Sequence, residues 1–140
     1  MTYRGLTRAL VWSLALVAGC AAPLAERAEP SSRVLQTADG VHALIVSLDG
    51  GLPFNEPFEL FVRLERVDGT PLADGLSLRP SGWMPEHGHG LVQHPRADAL
   101  GAGRFRTHGW LLHMRGLWEL RFDVLDAKAL RRATLAVRLP

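Results

Sequence analysis

Apolar and polar residues alternate with a period of two along two long segments of the chain. In residues 58–66 and again in residues 117–124, every second residue is apolar and the residues between are mostly charged. This alternation is typical of a β-strand with one buried face. The pattern is clearest in the second segment, whose predicted inward side chains are Trp118, Leu120, Phe122 and Val124.

Five further segments have shorter or less regular strand patterns. Residues 41–48 carry apolar side chains at both parities, which predicts a strand covered on both faces. The other four predicted strands are 76–79, 91–93, 104–114 and 133–139. Gly109 predicts a bend within the strand at 104–114. A loop is predicted at 96–103, and a loop or single helical turn at 126–131.

About seven short strands, separated by Asp-Gly turn signals, account for most of the chain after its first forty residues. No segment there has the pattern of a long helix. The sequence therefore predicts an all-β fold, an antiparallel β-sandwich with an immunoglobulin-like or cupredoxin-like layout. A chain of 140 residues is long enough for one domain with one core.

The first twenty residues have the pattern of an export signal. Arg4 and Arg8 form a basic start, residues 9–17 are apolar, and small residues precede the only cysteine, Cys20. The apolar run is too short to cross a bilayer as a helix. The small residues before Cys20 resemble a bacterial lipobox, which predicts cleavage before Cys20 and lipidation of it. The alternative is a plain secretory signal in which Cys20 is incidental.

The segment after the signal is rich in Ala, Pro, Ser and charged residues. Residues 21–40 have no useful periodicity, so they predict a flexible tether, and residues 41–140 form the predicted domain. Ala21 follows the cysteine, where an aspartate would suggest retention at the inner membrane. In a two-membrane bacterium this favours an outer-membrane anchor facing the periplasm.

The balance of basic and acidic residues argues against nucleic acid as a partner. Removal of Arg4 and Arg8 with the signal leaves 14 of the 16 basic residues, equal to the 14 acidic ones. The remaining cations alternate with acids instead of clustering. No basic face for nucleic acid is therefore expected.

One segment, residues 84–90, has the sequence Met-Pro-Glu-His-Gly-His-Gly and is unsuited to the middle of a helix or strand. Its proline fixes one dihedral angle and removes a donor, and its two glycines permit conformations closed to other residues. The segment therefore predicts a shaped loop that presents two imidazoles and a thioether. A second imidazole–thioether pair, His113 and Met114, follows about two dozen residues later.

If the two segments meet, they offer a mixed set of nitrogen and sulfur ligands. Thioether sulfur favours Cu(I), and imidazole binds copper in either oxidation state as well as zinc or nickel. A blue-copper electron-transfer centre is excluded, because it requires a thiolate ligand and the only cysteine, Cys20, is predicted to be lipidated. The predicted metal ligands are Met84, His87, His89, His113 and Met114.

The same residues have a purely structural interpretation. The imidazoles can hydrogen-bond backbone carbonyls in a polar loop, and Met114 between two tryptophans can be core filler. His42 and His108 lie within predicted strands and are expected to be structural, whereas His94 is close enough to His89 in sequence to be a peripheral ligand.

Catalytic patterns are poorly represented. Glu86 beside His87 could act as a general base in a zinc hydrolase. However, there is no helical His-Glu-x-x-His pattern, no Ser–His–Asp arrangement and no glycine-rich phosphate loop. We therefore expect that the protein is not an enzyme.

Residues 84–90, together with the sequence Gly-Trp-Leu-Leu-His-Met-Arg-Gly-Leu-Trp at 109–118, resemble the YtkA-like (FixH-related) domain family. In that family a Met-Pro-x-His-x-His loop precedes a strand ending in His-Met-x-Gly-x-Trp. The resemblance covers about residues 41–139 and departs at Arg115, where a proline is frequent. It implies an exported or membrane-anchored β-sandwich, with a loose association with copper handling and oxidase assembly.

These observations predict a lipid-anchored periplasmic domain that binds copper and carries or buffers it for a copper-donating or copper-accepting protein. The sequence is also compatible with two alternatives. The first is a structural or interaction lipoprotein that binds no metal. The second is a module that binds a small molecule in the same concavity.

Overall fold

The computed structural model describes residues 31–48 and 51–140. The predicted export signal (1–20) with its lipidation residue Cys20 lies outside these residues, as does the first half of the predicted tether. No helix in the described part of the chain is long and apolar enough to cross a bilayer.

Nine strands form two antiparallel sheets, and the described residues contain no helix. The five-stranded sheet has the order β1-β2-β3-β7-β6, and the four-stranded sheet has the order β5-β4-β8-β9. The prediction of an all-β antiparallel sandwich is confirmed. The strands are β1 (Ser31–Gln36), β2 (His42–Leu48), β3 (Phe58–Arg66), β4 (Ser77–Met84), β5 (His89–Gly90), β6 (Arg96–Gly101), β7 (Arg104–Trp110), β8 (Gly116–Leu125) and β9 (Leu130–Leu139).

Two strands replace segments predicted as tether or loop. Residues 31–36 are not a tether, because they pair with β2 from Ser31 opposite Leu48 to Gln36 opposite Ala43. Residues 96–101 are likewise strand β6, paired with β7. Both are exposed edge strands of the same sheet. Backbone pairing defines them, and since neither has a buried face, neither shows apolar alternation.

Other predicted bounds shift around the candidate loop. The short strand predicted at 76–79 extends through Pro80 to Met84, and the brief pairing occurs at 89–90 instead of 91–93. Proline is tolerated within β4 because β5 pairs only with Trp83 and Met84, which leaves Pro80 at an open edge.

The core lies between the two sheets and centres on Trp110. This side chain is 0% exposed, stacks on Phe58 at 6.0 Å between ring centroids, and contacts Phe122 at 5.7 Å. Its indole N–H donates to the Thr107 hydroxyl at 2.9 Å, and that hydroxyl donates to the Leu60 carbonyl at 3.0 Å. The polar atom of the largest core residue is therefore satisfied inside the sandwich.

A β-bulge in β7 turns Trp110 inward. The register with β3 steps from Leu60 opposite Thr107 to Phe58 opposite Trp110, so β7 carries one extra residue there. Gly109 has φ 81°, in the left-handed region that favours glycine. The predicted bend at Gly109 is confirmed. The bulge reverses the parity of β7, which places both Thr107 and Trp110 in the core.

A network of two ion pairs that share Arg131 links the start of β9 to the β1–β2 turn. Arg131 contacts the carboxylate of Asp39 at 2.7 Å and that of Asp126 at 2.6 Å. Hydrogen bonds from the Lys128 backbone N–H, the Arg131 side chain and the Ala129 backbone N–H lower the pKa of Asp126 to about 2. The ionised carboxylate is thus preferred in the folded state.

The lowered pKa of Asp126 predicts a specific acid dependence of stability. An unfolded aspartate has a pKa of about 3.9, so ionised Asp126 stabilises the fold above pH 4. This contribution is lost as the pH falls toward about 2. The Asp126→Asn variant should therefore be less stable than the parent at pH 6, with the difference shrinking between pH 4 and pH 2. Urea unfolding across this pH range measures it. A difference that stays constant would contradict the assignment.

Candidate metal centre

The tip of the β4–β5 hairpin shapes the first histidine segment. The Met84 carbonyl accepts hydrogen bonds from the backbone N–H of His87 at 3.2 Å and of Gly88 at 2.9 Å. Pro85 follows Met84, at the turn position where its fixed φ is favoured. Gly88 then has φ 69°, which brings the chain back into strand β5. The prediction of a shaped loop is confirmed for residues 85–88.

Strand register places Met84 and His89 on the same face of the four-stranded sheet. The two residues are directly paired across β4 and β5, and paired residues in antiparallel strands project to the same side. Met84 is 0% exposed, so this is the inner face. The β4–β8 register ends at Trp83 opposite Glu119. Extending that register by one residue would set Trp118 opposite Met84. Trp118 is also 0% exposed, so both side chains lie on the inner face.

The second segment is a loop and not the end of a strand. The strand predicted at 104–114 ends at Trp110, and the chain then crosses from the five-stranded to the four-stranded sheet. The Leu112 carbonyl accepts a hydrogen bond from the Asn55 backbone N–H at 2.9 Å, which anchors the crossing. Strand alternation therefore does not force His113 and Met114 to opposite faces.

The hairpin tip and the crossing loop bring three imidazoles together. The ring centroids of His87 and His89 are 5.9 Å apart, and those of His89 and His113 are 5.7 Å apart. The indole of Trp118 meets both inner rings edge-on, at 6.3 Å from His89 and 5.6 Å from His113. The predicted meeting of the two distant segments is thus found in the fold, at one end of the sandwich.

This spacing fits imidazoles that share one ion. With a metal–nitrogen bond of about 2.0 Å, the centroids of two imidazoles on one metal lie about 5 to 6 Å apart. The side-chain orientations themselves are not yet those of a ligand set. Within residues 31–48 and 51–140, no group of three or more His, Cys, Asp or Glu side chains is arranged to hold a metal ion. Binding would therefore require these rings to rotate toward one ion. His87, the outermost ring, is exposed.

Each of the two inner rings, His89 and His113, has a nitrogen atom that could bind a metal ion. His89 Nδ1 lies 2.9 Å from the Gly90 carbonyl, which leaves its Nε2 free to bind a metal. His113 Nδ1 is buried and has no hydrogen-bond partner among the described residues. An unsatisfied buried polar atom carries a desolvation cost of about 1–3 kcal/mol. A bound ion, or rotation of the ring toward one, would remove this cost.

The two methionines lie in the segments that carry the three rings. Met84 is fully buried, and its terminal methyl lies 3.2 Å from the position that a Cβ on Gly116 would occupy. Met114 is partly buried against the core, and its carbonyl accepts a hydrogen bond from the Trp118 indole N–H at 2.8 Å. Both thioethers thus belong to the two segments that carry the imidazoles. Ring contacts link His87 to His89 and His89 to His113, and each methionine lies in a segment that carries one or more of these rings.

Glu86 connects the hairpin tip to the neighbouring strands. Its carboxylate contacts Arg138 at 3.1 Å and lies 3.5 Å from the Leu117 backbone N–H. The hydrogen bond from Arg138, followed by that from Leu117, lowers the pKa of Glu86. A carboxylate held in its ionised form is a weaker general base, which argues against the hydrolytic role considered for it.

The other three histidines lie outside the ring cluster. His94 is exposed in the loop after β5, and it belongs to none of the ring–ring contacts found among the described residues. His42 is 3% exposed, and burial lowers its pKa. His108 lies 3.3 Å from the Asp98 carboxylate on the outside of the five-stranded sheet.

Trp118 adjoins the candidate site, which the sequence pattern did not indicate. Its alternation with Leu120 and Phe122 predicts only a core position, which is correct since Trp118 is 0% exposed. A buried indole N–H requires a hydrogen-bond acceptor. This requirement could have indicated that Trp118 contacts a backbone carbonyl of a neighbouring loop. The acceptor is the Met114 carbonyl, in the loop that carries His113.

Comparison of the chain with protein-family models, with curated proteins and with solved structures finds no match. The resemblance to YtkA-like domains therefore rests on the two sequence motifs alone. The case for a metal site rests on the ring cluster and its donors.

The hairpin tip provides a test of its own geometry. An alanine at position 88 would meet no atom within 4 Å, but it would have to adopt φ 69°. A side chain in this left-handed region costs about 1–2 kcal/mol. We expect Gly88→Ala to lower the free energy of unfolding by about that amount, as measured by urea denaturation.

Gly51→Ala is the matched control for this measurement. Position 51 is also open to solvent, but its φ lies outside the left-handed region. This variant should leave the free energy of unfolding unchanged or slightly raised. Equal losses in the two variants would show that the hairpin tip does not require the left-handed conformation.

Proposed function

We propose that this protein is a copper-binding domain that carries or buffers the ion and does not act as an enzyme. The cluster of His87, His89 and His113 is the single observation that supports the proposal most strongly. The rings come from two segments separated by more than twenty residues, and adjacent rings are spaced at 5.7 and 5.9 Å. This spacing suits shared coordination of one ion.

Copper is favoured over other metals by the thioethers in the two segments that carry the rings. Met84 and Met114 belong to the same two segments, and thioether sulfur is a soft ligand suited to Cu(I). The three imidazoles would supply nitrogen to the ion, and one or both methionines would supply sulfur. Zinc has no comparable use for thioether ligands, because its protein sites are built from thiolate, imidazole and carboxylate.

A carrier or buffer fits the exposure of the site better than permanent storage does. His89 and His113 are half-buried at the end of the sandwich, while His87 lies exposed on the hairpin tip. An ion held partly by an exposed ligand can pass to another protein when that ligand is exchanged. The proposed partner is thus a copper-donating or copper-accepting protein.

The proposal also includes the predicted location of the protein. A lipobox-like segment ending at Cys20 supports a lipid anchor, and Ala21 favours the outer membrane with the domain in the periplasm. Strand β1 already includes Ser31, ten residues after Ala21. The site would therefore operate close to the membrane surface.

Thermal unfolding of the lipidated mature chain with and without Cu(I) tests this function. A ligand that binds only the native state stabilises it, by about 2.7 kcal/mol at a free concentration of 100 Kd. We expect a clear rise of the unfolding midpoint with Cu(I), and no rise for His87→Ala combined with His89→Ala. An unchanged midpoint for the parent chain would instead favour the structural or interaction lipoprotein.

A further inference from the structure

Trp118 contacts both segments of the candidate site at once. From strand β8 its indole N–H donates to the Met114 carbonyl at 2.8 Å, which fixes the crossing loop to the four-stranded sheet. The edge of its ring packs against His113 at 5.6 Å and against His89 at 6.3 Å, with interplanar angles of 67° and 75°. Among the described residues, no other Trp, Phe or Tyr ring contacts two of the three imidazoles.

Trp118 is fixed by its surroundings more firmly than the loop that it contacts. The residue is 0% exposed and pairs with Val137 of β9, and the ladder between β8 and β4 ends one residue away, at Glu119. His113 and Met114, in contrast, lie in a loop without strand pairing. The rigid partner therefore sets the position of the irregular segment.

We propose that Trp118 is the positioning residue of the metal site. Its N–H holds the loop of His113 and Met114, and its ring edge holds the His89 and His113 imidazoles at the separation that one ion requires. This inference rests on the proposed copper function. It adds that affinity depends on a side chain that donates no ligand, since groups that orient metal ligands contribute to affinity without binding the ion.

The test compares two equally buried tryptophans. Trp110 is also 0% exposed, and its N–H also donates a hydrogen bond, to Thr107 at 2.9 Å. Its ring contacts Phe58 and Phe122 and none of the three imidazoles. Trp118→Phe and Trp110→Phe thus remove the same N–H group from the same core, at the site and away from it.

Cu(I) affinity of the lipidated mature chain is measured by competition with bicinchoninate, alongside the thermal midpoint of each metal-free variant. We expect Trp118→Phe to weaken Cu(I) binding by at least 10-fold, within the 10–100-fold range for groups that orient metal ligands. Trp110→Phe should lower the midpoint at least as much while leaving the affinity within 2-fold of the parent. A merely structural role for Trp118 would weaken affinity equally in both variants, which would overturn the proposal.

A second variant keeps the test decisive if Trp118→Phe does not fold. Replacing Trp118 with 3-benzothienylalanine exchanges the N–H for sulfur and preserves the bicyclic ring, so it removes only the hydrogen bond to Met114. A loss of affinity of at least 5-fold supports the proposal, and an unchanged affinity overturns it.

If the parent chain itself binds no Cu(I), the copper function fails and this inference fails with it. If the parent binds and both position-118 variants bind equally well, only this inference fails.

Discussion

Replacing His89 and His113 together by alanine is expected to abolish Cu(I) uptake by the mature chain. The two rings lie 5.7 Å apart at the centre of the cluster, and each comes from a different segment. Their loss would leave His87 as the only imidazole of the cluster. Calorimetric titration should show about one Cu(I) bound by the parent and none by the variant, a loss of affinity of at least 100-fold.

The matched control is His94→Ala combined with His108→Ala. It also removes two imidazoles, but His94 is exposed in a separate loop and His108 pairs with Asp98. This variant should bind Cu(I) as the parent does. Equal uptake by the His89–His113 variant would place any copper site elsewhere on the chain.

The largest loss of stability is expected for Trp110→Ala. The indole is fully buried between the sheets, stacks on Phe58, contacts Phe122, and has its N–H satisfied by Thr107. Truncation of a buried aromatic side chain costs about 3–5 kcal/mol through lost burial and the cavity left behind. Thr107 would in addition lose the donor to its hydroxyl. The free energy of unfolding measured with urea should fall by this amount.

Trp83→Ala serves as the comparison for this measurement. Trp83 is only partly buried in β4, and the guanidinium of Arg121 lies 5.3 Å from its ring centroid. Its truncation opens no enclosed cavity, so a smaller loss is expected. Similar losses for Trp83 and Trp110 would show that the stacked cluster around Trp110 is not the centre of the core.

Strands with one buried face were predictable from sequence, and exposed edge strands were not. The alternation in 58–66 and 117–124 gave β3 and β8 within a residue or two of their bounds. Ser31–Gln36 and Arg96–Gly101 have almost no buried side chains, so their strand character depends on pairing with β2 and β7. Such pairing is a long-range property that no local pattern records.

The sequence motifs raised the hypothesis that the histidine segments meet, but they did not indicate how the fold brings them together. Pro85 and Gly88 indicated a shaped turn, and the spacing of the histidines indicated possible ligands. The meeting of His89 with His113 depends on two features of the fold. One is the end of β7 after the bulge at Gly109, and the other is the support that Trp118 gives from β8. Both depend on contacts between strands that are distant in sequence.

Copper K-edge X-ray absorption of the Cu(I)-loaded mature chain tests the central claim most directly, because it reads the ligand atoms themselves. The account predicts imidazole nitrogens together with at least one sulfur at the copper. The sulfur contribution should disappear when Met84 and Met114 are both replaced by leucine. A copper environment of nitrogen and oxygen alone, or a chain that retains no copper during preparation, would contradict a mixed imidazole–thioether site at this end of the sandwich.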